Sequence, residues 1–149
     1  WRQEPQEGKT QLEYNRRYYQ EILDVVKIYK DYSILGHLDV IKRYDKQGEI
    51  EFEKIKDLIE QIFEVVIADG KGIELNTSSR AYKLKSLMPS KEILKLYHDM
   101  GGKIITIGSD AHNADRIGDC VMESQKILKD IGFEGIYTFE KMKPKFHKF

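Results

Sequence analysis

Four stretches with apolar residues at three- and four-residue steps alternate with four short, β-branched runs, and this order limits the chain to a few α/β architectures. The first stretch covers about residues 10–31, with Tyr19, Ile22, Leu23, Val26 and Tyr29 on one face. Thr10 and Glu13 have the spacing of a capping box at its start. The second runs over about 52–68 on Ile55, Leu58, Ile59, Ile62 and Val66, and Gly70 stands where a helix C-cap belongs. Pro89 and Ser90 precede a third, which carries Ile93, Leu94, Tyr97 and Met100. The fourth spans about 114–131 on Ile117, Val121, Leu128 and Ile131, closed by Gly132. Strands are predicted at 32–39, 72–76, 103–107 and 135–139, and the lysine-rich residues beyond read as a tail. Short connections between such units predict a parallel sheet, either open and doubly wound or part of a barrel. Parallel strands share one rim at their C-terminal ends, which is where ligands bind in either arrangement.

Three of these strand ends carry polar groups. In Ile104-Ile105-Thr106-Ile107-Gly108-Ser109-Asp110-Ala111-His112 an apolar run stops at a glycine and delivers an acid and an imidazole two residues apart. An extended backbone would aim both side chains at one face, and a carboxylate oxygen with a neutral imidazole nitrogen suits Zn, Mn or Fe. Read in isolation, Asp110 equally caps a helix starting near Ala114, with His112 in the turn. His37 follows Gly36 at another strand end, and Asp39 could orient it or simply cap a turn. Arg43 and Arg80 lie just past two of the ends and suit a phosphate through bidentate hydrogen bonds, the alternative being two solvated surface arginines. Thr77, Ser78, Ser79 and Ser109 add donors without specificity. His98, inside a helix, and His147, in the tail, read as structural. There is no Walker-type loop, no GxGxxG after a strand and no GxSxG elbow, so nucleophilic serine or cysteine catalysis has no support.

The bulk of the sequence narrows the partners. Twenty-five basic residues stand against 25 acidic ones, which removes the broad cationic field of a nucleic-acid binder. No apolar run approaches the roughly 20 residues that span a bilayer, so no membrane partner is expected. The single cysteine, Cys120, excludes an internal disulfide, reads as a small buried group on a helix, and fits a reducing cytoplasm. A length of 149 residues suits one domain. The opening at Trp1, without an initiator methionine and on residues that resemble a loop interior, suggests a piece of something longer.

The segments Ile34-Leu35-Gly36-His37-Leu38-Asp39, Ile73-Glu74-Leu75-Asn76-Thr77-Ser78 and Ile107-Gly108-Ser109-Asp110-Ala111-His112 resemble the PHP (polymerase and histidinol phosphatase) superfamily, more narrowly its histidinol phosphatase branch. The ending Gly132-Phe133-Glu134-Gly135-Ile136-Tyr137-Thr138-Phe139-Glu140-Lys141 is similar to that branch too. The likeness runs from about Thr10 onward and corresponds to the C-terminal half of such an enzyme, making residues 1–149 one partial domain. It implies part of a distorted barrel of seven βα units, with up to three divalent metal ions at its C-terminal rim. It implies metal ligation by His37, Asp110 and His112, catalytic roles for Asp110 and His112, a supporting carboxylate in Asp39, and phosphate recognition by Arg43 and Arg80. The reaction implied is hydrolysis of L-histidinol phosphate to histidinol and phosphate, in histidine biosynthesis.

The family's H-x-H pair, its next histidine and its bridging glutamate motifs have no counterpart in these residues. By that analogy the three ligands present serve three different ions, so weak metal binding and little or no turnover are expected of this chain alone. A partial barrel also leaves open sheet edges, which predicts self-association or pairing with a missing N-terminal half. Two other readings are a non-catalytic phosphate-binding or assembly module, and the nuclease-like branch associated with DNA polymerases, against which the neutral charge argues.

Overall fold

The computed structural model describes residues 9–149. Helix α1 (Gln11–Ile28) starts as the sequence predicts: Glu13 N–H donates to Thr10 Oγ1 at 3.2 Å, and the Glu13 carboxylate accepts from Thr10 N–H at 2.7 Å. Its buried face, Tyr19, Leu23 and Val26, packs on α2 (Lys56–Ala68), which contributes Leu58, Ile59, Ile62, Phe63 and Val66. At the solvent edge of this pair Arg16 forks onto Asp57 at 2.8 and 2.7 Å, and these hydrogen bonds hold the Asp57 carboxyl below its ordinary range. Helix α3 (Lys91–Asp99) begins at Ser90, whose hydroxyl accepts from Ile93 N–H, and α4 (Val121–Ile131) completes the helical layer.

Strands β1 (Ile34–Leu35), β2 (Gly72–Asn76) and β3 (Ile105–Gly108) form a parallel sheet in the order β1-β2-β3. Ile34 lies opposite Gly72, and Glu74 opposite Thr106. Ile73 and Leu75 are fully buried and join the core with the helices. Because successive side chains alternate, Gly72, Glu74 and Asn76 fall on the other face. An α/β architecture with a parallel sheet is therefore what these residues build.

Several boundaries differ from the sequence reading. The segment 52–54 is a 3-10 turn, and α2 begins only at Lys56 because Ile55 leaves the helical region at φ −128°. The predicted helix over 114–131 is α-helical only in α4: Gly118 (φ 75°) and Cys120 (φ 58°) adopt left-handed conformations that break it. Cys120 is consequently a half-buried residue at the start of α4, not a core group on a helix. Strand β1 is short because the chain turns at His37, φ 29°. The polar segments after β1 and β2 are 3-10 turns, Val40–Tyr44 and Thr77–Arg80.

The largest correction is at the C-terminus. The lysine-rich residues are a strand, β5 (Lys143–Lys148), paired antiparallel with β4 (Gly135–Glu140) through a two-residue turn at Lys141 and Met142, both at positive φ. The sequence concealed it because β5 is exposed throughout and lacks an apolar face, and its turn has no Asn-Gly signal. So the fourth strand lies alongside β3 without joining its ladder. No helix among the described residues is long and apolar enough to cross a membrane.

The core predicts a sharp contrast between two isoleucines. Ile59→Ala, at a fully buried position, should lose about 2–5 kcal/mol in chemical denaturation, whereas Ile117→Ala, 77% exposed, should stay within about 0.5 kcal/mol.

Candidate functional site: a polar relay across three strand ends

Glu74 sits mid-strand in the central strand of the sheet, and its neighbours are cut back to admit its carboxylate. Gly36 follows β1 and Gly108 ends β3; a methyl group on Gly108 would collide with Glu74 Oε1, and one on Gly36 would touch Oε2 at 3.6 Å. The carboxylate therefore reaches both flanking strand ends. Oε2 accepts from the His37 backbone N–H at 3.0 Å and from Asn76 Nδ2 at 3.1 Å. The first bond fixes the left-handed turn that ends β1.

From Asn76 the hydrogen bonds continue outward. Its Oδ1 accepts from Ser78 N–H at 3.0 Å and from the Ser78 hydroxyl at 2.5 Å, which starts the 3-10 turn after β2. Ser78 Oγ accepts from Arg43 Nη2 at 2.5 Å, using the hydroxyl as donor and acceptor at once. The same Arg43 nitrogen lies 3.4 Å from Asp110 Oδ2, and Asp110 Oδ1 lies 3.4 Å from His112 Nε2. Arg43 is only 12% exposed, its guanidinium rests 3.8 Å above the Tyr82 ring, and its buried Nε has no acceptor among the described residues. One relay thus joins His37, Glu74, Asn76, Ser78, Arg43, Asp110 and His112.

The residues singled out by sequence fall into two groups. Arg43, Asp110 and His112 come together directly, and His37 joins through its backbone while its ring is exposed. Asp110 bends at φ 48°, and His112 is 78% exposed. Arg80 lies apart: exposed, it donates to Cys120 Sγ at 3.0 Å. Asp39 requires a correction. Its Oδ2 accepts from Lys42 Nζ at 2.8 Å and from Ser90 N–H at 3.0 Å, so it anchors a buried ion pair and the start of α3 instead of orienting His37. Lys42 also bonds Ser86 Oγ and the Leu87 carbonyl. Burial pushes the Asp39 carboxyl up, and the Lys42 charge opposes that shift. Glu74 escaped the sequence reading, which marked the polar run from Asn76 to Arg80 at the strand end and took Ser78 only as a donor without specificity. The available signal was a lone acid inside an apolar strand, with glycines at the ends of both neighbours.

Asp110 Oδ1 and His112 Nε2 are spaced as two donors on one tetrahedral ion would be, about 3.4 Å apart for bonds of about 2.0–2.1 Å. No third donor joins them, since among the described residues no group of three His, Cys, Asp or Glu side chains could hold a metal. These residues fit part of an ion site and do not close one.

The PHP domain family model matches residues 1–78, just over half of the 149. This chain belongs to the PHP domain family. Within it, the chain is similar to the histidinol-phosphatase of Lactococcus lactis, 30% identical over 138 residues that make up 91% of this chain and 51% of that protein. A Thermotoga maritima protein named "probable histidinol-phosphatase" is 36% identical over 119 residues, 80% of this chain and 49% of its own length. The crystal structure of the Lactococcus lactis histidinol phosphate phosphatase, complexed with zinc, L-histidinol and phosphate, superposes with a TM-score of 0.78 at 28% identity, covering 93% of this chain and 53% of that one. The chain spans about half the length of the curated relatives it matches.

The buried ion pair behind the rim yields a signed pH prediction. Lys42→Met leaves Asp39 without its counter-charge and should cost about 3–5 kcal/mol at neutral pH. A carboxyl whose folded pKa is raised stabilises the fold below its unfolded pKa and ceases to do so as pH rises through the folded value. Melting temperatures measured from pH 7 to pH 5 should therefore show the variant recovering relative to the wild type on acidification.

Proposed function

We propose that this chain forms the phosphate-holding part of a metal-dependent phosphatase whose substrate is L-histidinol phosphate. The observation that carries the reading is Arg43: a nearly buried guanidinium, stacked on Tyr82 and placed beside an aspartate–histidine pair at a strand-end rim. Its contact to Asp110 is long, so a phosphoryl oxygen can compete for the same nitrogen without dismantling the turn that holds it. Arg80, exposed and bonded to the Cys120 sulfur, would exchange that contact for a second phosphoryl oxygen. Together the two guanidinium groups would neutralise and orient the monoester.

His37, Asp110 and His112 would contribute to divalent-ion binding, zinc being the ion complexed in the Lactococcus lactis relative. A bound ion supplies an activated water and charge neutralisation in such chemistry. Since the described donors do not close a site, further ligands would come from outside them. Asp110 would hold Arg43 and His112 in fixed relation, with the imidazole kept at the rim by its carboxylate. This reading carries with it a place in histidine biosynthesis and a cytoplasmic location. The incomplete donor set gives one competing reading, a module that binds phosphate through Arg43 without metal or turnover.

The same reading extends to assembly. The short strand β1 is a sheet edge, and beside it Tyr18, Ile22, Val25 and Leu35 line an apolar groove of about 200 Å³. The rest of a barrel, or a second copy, would cover it.

Phosphate release from L-histidinol phosphate and metal content, measured for residues 1–149 and for the full natural chain, test the proposal. Zinc-dependent release by the full chain, with little or none from residues 1–149, is expected; phosphate binding without any release from either would favour the competing reading. In the full chain Arg43→Ala should lower kcat/KM about tenfold to a hundredfold. His112→Ala should reduce metal content and turnover together, and unchanged activity would remove it from the site. Light scattering of residues 1–149 at micromolar concentration should give a mass above the 17.5 kDa monomer.

A further inference from the structure

We infer that Glu74 is the cation-recognising end of the site, binding the protonated amine of a substrate whose phosphate is held by Arg43; this rests on the phosphate-ester reading above. The two oxygens of the Glu74 carboxylate differ in their partners. Oε2 is fully employed, accepting from His37 N–H and Asn76 Nδ2. Oε1 receives no hydrogen bond from the described residues and lies over Gly108, where the absence of a side chain leaves it uncovered. No Lys, Arg or His side chain among the described residues pairs with this carboxylate. A half-buried anion without a counter-charge is costly to maintain, so the site is built to receive one from elsewhere.

Gly108, beneath Oε1, is two residues from Asp110, beside which Arg43 presents its guanidinium. Two residues of extended chain span at most about 7 Å. Hydrogen bonds of 3.1, 2.5 and 2.5 Å, from Glu74 Oε2 through the Asn76 amide and the Ser78 hydroxyl to Arg43 Nη2, set an anionic pole and a cationic pole within the reach of one small molecule. The matching ligand carries a phosphate at one end and an ammonium a few bonds away. L-histidinol, present with phosphate in the Lactococcus lactis relative, is an amino alcohol of that kind. The hydrogen bonds on Oε2 hold the carboxylate at this angle, and the charge-assisted bond to the ligand forms on Oε1.

The two functions of the side chain can be separated. Glu74→Gln can keep its carbonyl oxygen toward His37 N–H and Asn76 Nδ2, leaving the strand ends in place, while an uncharged –NH2 replaces Oε1. Calorimetric titration of the metal-loaded full natural chain, with phosphate present, compares L-histidinol with the analogue in which hydrogen replaces the amino group. The wild type should bind L-histidinol about tenfold to a hundredfold more tightly than the analogue, and Glu74→Gln should abolish that preference while leaving the analogue's affinity within about threefold. Glu74→Asp, which keeps the charge but withdraws it by one methylene, should reduce the preference and serves if the glutamine variant does not fold. Equal wild-type affinity for the two ligands, no binding of either, or an equal loss for both in the variants would overturn the inference. Phosphate release from L-histidinol phosphate, run in parallel, keeps the two readings apart: without release the phosphatase reading fails, while the amine preference still stands or falls on the titration.

Discussion

A carboxylate placed in the middle of a parallel sheet governs how the surrounding segments of this PHP chain are arranged. Glu74 can lie across its neighbours because β3 ends on Gly108, where any side chain would collide with Oε1, while Gly36 beyond β1 stands at contact distance from Oε2. Its bond to the His37 backbone turns the chain after two paired residues, which is why β1 is so short. Its bond to Asn76 sets the amide that starts the next turn, and that turn presents Ser78 to Arg43. Each step is one or two hydrogen bonds between partners that are themselves restrained, so a displacement of the carboxylate would pass along the relay. The rim is consequently one mechanical unit spread over three strand ends.

Behind that unit stands a second polar assembly facing the opposite way. Lys42 and Arg43 are neighbours in sequence, yet a 3-10 turn sends Lys42 inward to Asp39, Ser86 and the Leu87 carbonyl while Arg43 faces the rim. Asp39 binds the first turn of α3 through Ser90 N–H, and Glu49 holds Ser86 at 2.6 Å. The turn that carries the phosphate-binding candidate is thereby tied to segments following both β1 and β2. A guanidinium held on such a turn loses less freedom on meeting an anion than one on a loose loop.

The alternation of helices and strands was legible because each buried face repeats at its own period, and the capping box at Thr10 was legible because it is local. Glycine-coded breaks were harder to place: Gly118 and Cys120 end a helical pattern that the apolar spacing of Ile117 and Val121 would carry through. At the rim, residue type and position sufficed to bring Arg43, Asp110 and His112 into one neighbourhood. Asp39 was misjudged because a carboxylate's partner is decided by packing, and Lys42, three residues on, reached it where His37 did not. Glu74 stayed hidden because its meaning depends on register. Only the ladder places Gly36 and Gly108 on either side of it.

The hairpin at the C-terminus bears on how such a chain can grow. On the free side of β4 the structure ends in β5, an exposed strand bearing Lys143, Lys145 and Lys148 with Pro144 among them. Proline withholds a ladder donor and lysines repel a matching strand, so this border is chemically closed to further pairing. The β1 edge of the parallel sheet consists of Ile34 and Leu35, with neither lysine nor proline; beside it lies the apolar groove of Tyr18, Ile22, Val25 and Leu35. The two sheets thus end on unlike borders: the hairpin on a lysine-bearing strand interrupted by proline, the parallel sheet on two apolar residues.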